Sequence, residues 1–157
     1  MSTKQYLFIY GSFLREAAPS SISAWCRRFR RVAGATVAGS LHDVEGYPAL
    51  CLDPADAAAR SDEANTGVVP DVVHGEIVSV ASAGAWMRLD TYEGVDRARP
   101  ARALFRRVRT IATTDTGERV ECWVYACNRD LEGARRIEGG CWRTHMLLRD
   151  DIQVVPC

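Results

Sequence analysis

No Cys-x-x-Cys pair occurs in this chain, and none of its histidines (His42, His74, His145) stands at metal-ligand spacing to a cysteine. That argues against a structural or catalytic metal centre. No sign of charge dominates: 20 Lys plus Arg balance 20 Asp plus Glu, so the net charge is zero. There is thus no global electrostatic case for binding nucleic acid or a membrane surface. No long hydrophobic run is present. The first apolar run, Tyr6-Leu7-Phe8-Ile9-Tyr10, is too short for a signal-peptide core or a membrane span, so the expected location is the cytoplasm. No internal repeat or low-complexity tract is visible.

What remains is a chain of 157 residues, 47% apolar and 25% charged, which suits one soluble domain over 1–157. Its cysteines (Cys26, Cys51, Cys122, Cys127, Cys141, Cys157) read as small buried hydrophobes. Cys122 and Cys127 lie five apart in a strand pattern, so they should point to opposite faces.

The Tyr6–Tyr10 run is apolar on both faces and reads as a central strand leading into a loop, Gly11-Ser12-Phe13-Leu14-Arg15. A helix is expected from Ser20 or Ser21, with Ile22, Trp25, Cys26 and Phe29 on one face. Arg27, Arg28, Arg30 and Arg31 gather at its exit. They form either an anion patch or a solvated face near a helix C-terminus. A strand Val32–Leu41, a turn over His42–Gly46 and a short strand from Tyr47 should follow. The Asp53–Asp71 stretch is polar and alanine-rich and belongs on the surface, either as a passive insertion or as a loop that reaches a binding pocket and limits what enters it. Strands are expected at Val72–Val80, Leu104–Thr114 and Arg119–Cys127, the last two as a hairpin turned by Asp115-Thr116-Gly117. About six strands with two to four helices, and no βαβ regularity, indicate an α+β fold in which a curled sheet protects its edges.

Ser82 is placed to cap a helix in which Trp86, Leu89 and Glu93 fall at i, i+3 and i+7. Gly94 would end it. Glu93 is thereby carried to an apolar boundary, where a carboxylate must be paired or have a raised pKa. The usual value is ~4.3, and a shift toward neutrality would let the group both take and give a proton. A salt-bridged or capping glutamate of a structural turn is the plainer reading of this segment alone.

Several marks stand in order: Phe8-Ile9-Tyr10-Gly11-Ser12-Phe13-Leu14-Arg15, Gly39-Ser40-Leu41-His42-Asp43, Tyr47-Pro48-Ala49-Leu50, His74-Gly75-Glu76-Ile77, Leu89-Asp90-Thr91-Tyr92-Glu93-Gly94, Phe105-Arg106-Arg107-Val108 and Trp123-Val124-Tyr125. Together with Ile137-Glu138-Gly139-Gly140-Cys141-Trp142, this series resembles the gamma-glutamylcyclotransferase-like (AIG2-like) family. The resemblance implies a small mixed β-barrel flanked by helices. It also implies cofactor-independent release of 5-oxoproline from a γ-glutamyl amine, peptide or amino acid. Glu93 matches the family's catalytic glutamate, and Tyr10, Gly11, Ser12, Phe13 and Leu14 match its substrate-cradling loop. The chain departs from the pattern in the extra stretch between Cys51 and Val72, in lacking Asn-His after the first loop, and in having Phe105 where tyrosine is common.

The expected partner is a small γ-glutamyl substrate, with no cofactor, metal, nucleic acid or membrane, and the protein is expected to be a monomer or homodimer. The alternative is a non-catalytic module binding a glutamyl-like ligand. A serine hydrolase fits less well, because Ser12 does not lie in Gly-x-Ser-x-Gly.

Overall fold

The computed structural model describes residues 4–11, 13–14, 20–52 and 71–150, without the side chains of Ser21, Ser23, Trp25, Arg149 and Asp150. Ser12 and nearly all of the 53–71 stretch therefore lie outside the described residues.

Five strands close on themselves. β1 (Gln5–Ile9) pairs antiparallel with β4 (Val72–Val80) and parallel with β6 (Arg119–Cys127). β4 pairs with β2 (Arg30–Val44), and β6 with β5 (Phe105–Thr114). The ring shuts where Ala35 and Thr36 of β2 meet Thr114 and Thr113 of β5. Closure removes the unpaired edges that an open sheet of this size would expose. One apolar cluster, including Phe8, Val37, Ile77, Ala112 and Val124, draws on all five strands and forms the barrel interior. A second cluster lies on the outer face, where α1 (Ser20–Cys26) and α2 (Ala83–Tyr92) contribute Ile22, Cys26, Trp86 and Leu89 against Leu7, Ile9, Val78 and Tyr125. Both faces of β1 and β6 are covered, which is why neither strand shows polar alternation.

β2 is longer than its sequence indicated. Arg30 and Arg31 belong to it, and so do His42, Asp43 and Val44, which were expected in a turn. The turn to β3 (Tyr47–Leu52) is only Glu45-Gly46, and both residues have positive φ, 54° and 88°. That is the two-residue hairpin geometry that matches strand twist. The far end of β2 leaves the barrel to carry β3 on one side and the two-residue β7 (Arg135–Arg136) on the other. Asp43 ties this end together: it accepts a hydrogen bond from Gly46 N–H at 2.6 Å and contacts His145 Nε2 at 2.6 Å, in α3 (Trp142–Asp150).

Cys26, Cys51, Cys122 and Cys127 are free thiols, and burial pushes those of Cys26 and Cys122 up to about 11. Cys122 lies in the barrel interior and Cys127 on the outer face, as the odd spacing required. Cys141 departs from the expectation of a plain buried thiol, since it is disulfide-bonded.

Asp43→Ala removes the contacts to Gly46 and His145. The expected loss is about 2–3 kcal/mol in urea unfolding, with faster amide exchange in α3. Unchanged exchange in α3 would show that the helix is held by Trp142 packing alone.

Candidate active site

The site begins with how α2 ends. Ser82 caps the start, its hydroxyl accepting from Ala85 N–H at 3.2 Å. At the other end Val95 N–H reaches Asp90 O at 2.9 Å and Gly94 N–H reaches Thr91 O at 3.2 Å, with Gly94 at φ 69°. This is a Schellman stop, and the left-handed residue it needs is the glycine. The residue before that glycine, Glu93, is held as the C-cap by its N–H on Leu89 O at 3.0 Å. Trp86 and Leu89 are buried on the same face, so the Glu93 side chain follows them inward and is only 9% exposed.

Burial raises the Glu93 carboxyl from 4.5 to about 7. The opposing influence is a hydrogen bond from the Tyr47 hydroxyl to Glu93 Oε2 at 2.9 Å, which favours the ionised form. No arginine or lysine pairs with Glu93 among the described residues. The plain salt-bridge reading of this glutamate is thus not what the fold provides.

Glu93 shares one cavity with Tyr10, Gly11, Phe13, Tyr47, Pro48 and Tyr125. Three of the five loop positions matched to the family's cradle therefore meet the carboxylate. Leu14 does not; it is buried in the outer core cluster, and its N–H is taken by Gly11 O at 2.9 Å. The Leu14 N–H is therefore not available to a ligand. Tyr10 lines the cavity, but its hydroxyl is committed: it donates to Tyr125 O at 2.6 Å and accepts from Leu50 N–H at 3.4 Å. Gly11 packs so closely on Pro48 that a Cβ there would sit 2.2 Å from Pro48 Cγ.

The cavity measures about 10 Å³, room for roughly one water. Among the described residues, the wall of Phe13, Tyr47 and Pro48 leaves no substrate-sized gap between Glu93 and the loop. Ligand pockets ordinarily run ~300–1,000 Å³, so the space enclosed by these described residues is far below that of a small-molecule site.

Three residues of the site went unassigned in the sequence. Tyr47 was visible only as half of a Tyr-Pro pair. Asp90 sits four residues after Trp86 on the buried face and is itself 7% exposed. It accepts from the Tyr125 hydroxyl at 2.7 Å and from Arg97 Nη2 at 2.9 Å, with Arg107 Nε 3.5 Å away. The Arg107 guanidinium is held between the indoles of Trp86 and Trp123, at 4.7 and 5.1 Å. Helical periodicity could have marked Asp90 as buried. Nothing in the sequence indicated that β6 would bring Tyr125 to it.

The sequence matches the family model described as Gamma-glutamyl cyclotransferase, AIG2-like, over residues 7–144, and the chain belongs to this family. No curated protein has a significantly matching sequence. Among solved structures, YkqA from Bacillus subtilis superposes with a TM-score of 0.65 at 17% identity, covering 96% of this chain and 44% of that one. The present chain thus spans less than half the length of the Bacillus protein. An AIG2-like protein from Mus musculus gives 0.57 at 17% identity, covering 83% and 82% of the two chains. A gamma-glutamyl cyclotransferase gives 0.53 at 14%, covering 85% and 70%. At these identities the likeness shows the fold. No helix among the described residues is long and apolar enough to cross a membrane.

Two consequences are measurable. The native state binds the Glu93 proton more tightly than the unfolded chain, because its pKa is raised. Unfolding between pH 4.5 and about 7 therefore releases a proton, and stability falls as pH rises through that window. The full effect is on the order of 3 kcal/mol. Glu93→Gln should abolish this slope, so the variant gains on the wild type above pH 7; parallel stability curves from pH 4 to 8 would contradict the raised pKa. Gly11→Ala should destabilise by about 1–3 kcal/mol through overpacking on Pro48, read by thermal melting.

Proposed function

We propose that this protein is a cofactor-independent cyclotransferase that releases 5-oxoproline from a γ-glutamyl amine, peptide or amino acid. The observation that carries the reading is the Glu93 carboxyl: buried with no cation beside it among the described residues, raised to about 7, and facing one cavity with the Tyr10-Gly11 loop end. A group with that pKa is ionised in part at neutral pH and still acidic enough to return its proton. Membership of the family supplies the substrate class.

In this reading the γ-glutamyl group brings its own nucleophile. Ionised Glu93 takes a proton from the substrate α-ammonium. The freed amine attacks the γ-carbonyl carbon, forming the new C–N bond of the five-membered ring. The resulting oxyanion collapses, the bond to the departing amine breaks, and protonated Glu93 delivers its proton to that amine. Glu93 then takes the surplus proton of the ring nitrogen and passes it to the freed amine, which leaves as an ammonium beside the neutral lactam. No water or redox partner is consumed. Folding the substrate so that amine and carbonyl meet contributes most, since proximity effects reach ~7–11 kcal/mol in ideal cases. The proton work adds ~10²–10⁴-fold.

Tyr47 holds Oε2, so Oε1 is the oxygen left to exchange protons. Tyr125 donates its proton to Asp90, which leaves its hydroxyl oxygen as an acceptor in the cavity wall. Substrate entry requires the wall to part, and the rings of Phe13 and Tyr47 are the bulky groups in it. Closing again would keep bulk water from the reacting carbonyl.

The test is a panel of γ-glutamyl compounds assayed for 5-oxoproline. At least one should be turned over without added metal or nucleotide. Glu93→Gln should keep the fold and lose ~10²-fold or more in kcat. With wild type, kcat/KM should fall below about pH 7, the value of the free-enzyme base. Full activity in Glu93→Gln, or a profile flat from pH 5 to 8, would overturn the assignment.

A further inference from the structure

A cleft of about 710 Å³ opens beside the N-terminal end of α2 and shares no lining residue with the Glu93 cavity. The two sites lie at opposite ends of this ten-residue helix, roughly 15 Å apart along its axis. Lys4, Arg28, Arg30 and Arg88 line the cleft, and no carboxylate among the described residues does. These cations come from four separate segments: the approach to β1, the turn after α1, the start of β2, and α2 itself. All four side chains are exposed, and none has a carboxylate partner among the described residues.

Some arginines elsewhere are matched, with Arg31 and Arg143 sharing Glu76 and Arg97 and Arg107 sharing Asp90. Others, such as Arg106 and Arg119, are exposed without a carboxylate partner among the described residues. What sets the cleft apart is convergence: four cations line one cavity with no carboxylate among its described lining residues. The end of α2 adds to the imbalance. Its first turn carries no acidic residue, and Gly84 borders the cleft with only Ser82 Oγ, at 4.0 Å, near where a side chain would be. Ser82 Oγ takes the Ala85 N–H, and at Gly84 no side chain screens the backbone from the cleft. Phe29, Val80 and Ala85 give the remaining wall an apolar character.

We propose that this cleft binds a small organic polyphosphate of nucleotide size. A single phosphate would answer about two of the four cations. Two or three phosphates carry roughly −3 to −4 and can bridge all of them. The cleft volume lies in the ordinary range for a small-molecule site, and the apolar wall is placed to take an uncharged body attached to the phosphates.

The experiment is calorimetric titration of the full chain with sodium tripolyphosphate, ATP and adenosine at ~150 mM salt. Both polyphosphates should bind and adenosine should not. ATP should bind more tightly than tripolyphosphate; equal affinity would overturn the role given to the apolar wall. Arg28→Ala with Arg88→Ala, both on exposed positions, should weaken ATP at least ~10-fold. Arg88→Glu is a second, independent variant with the same expectation. Glu93→Gln should bind ATP as the wild type does. Absence of binding at ~1 mM polyphosphate, undiminished binding in the arginine variants, or loss of binding in Glu93→Gln would each overturn the proposal.

Discussion

A carboxylate in an apolar wall, answered by one hydroxyl, is the constraint around which this site is arranged. Glu93 is buried because the face that holds Trp86 and Leu89 continues into it, and the Schellman stop at Gly94 ends the helix before the chain can turn it outward. Desolvation then dominates over the Tyr47 hydrogen bond, and the carboxyl is held near neutrality. An arginine placed beside it would relieve the cost but would also pin the group as an anion. Three residues upstream, the same helix shows that alternative. Asp90 is equally buried, yet it has Arg97, Arg107 and the Tyr125 hydroxyl around it. One acid on the helix is thus held by cations, and its neighbour is buried with no arginine or lysine beside it among the described residues.

The barrel makes this division possible. The parallel pairing of β1 with β6 sets Tyr10 near Tyr125, and the Tyr10 hydroxyl bridges Tyr125 O to Leu50 N–H of β3. β3 exists because β2 runs past the closed ring and folds back at Glu45-Gly46. That excursion is what carries Tyr47 and Pro48 over the Gly11 loop. Pro48 against Gly11 and Tyr47 against Glu93 together seal the cavity to about the size of a water. A closed resting site and a buried acid belong together, since water in the cavity would return the Glu93 pKa toward its ordinary value.

Local patterns in the sequence foretold much of the framework. β4 and β6 occupy the spans expected from their apolar runs, and the barrel that would cover their edges is present. The inward face of α2 was readable from three spacings, and its cap from Ser82. The errors fell where neighbours overrule local chemistry. His42 and Asp43 looked like turn residues, but pairing with Ala49 and Pro48 on one side and with Arg136 and Arg135 on the other holds them extended. In the loop from Tyr10 to Leu14, which resembles a substrate cradle, the Leu14 side chain is core and its N–H closes a turn.

The sequence by itself determined that Glu93 would be buried and Gly94 would stop the helix, because both follow from 3.6-residue periodicity and the conformational freedom of glycine. Through its ordered motifs it also determined the family. Only the tertiary structure decided what faces Glu93. Tyr47 is 46 residues away in the chain, and a hydroxyl at 2.9 Å is a product of strand register, not of any local pattern. The same is true of the cleft at the other end of α2. The run Arg27 to Arg31 was plain in the sequence, but Lys4 and Arg88 join Arg28 and Arg30 only because β1, β2 and α2 meet at one edge of the barrel. Charges that cancel along the chain are sorted in space by pairing and packing, and composition carries no record of that sorting.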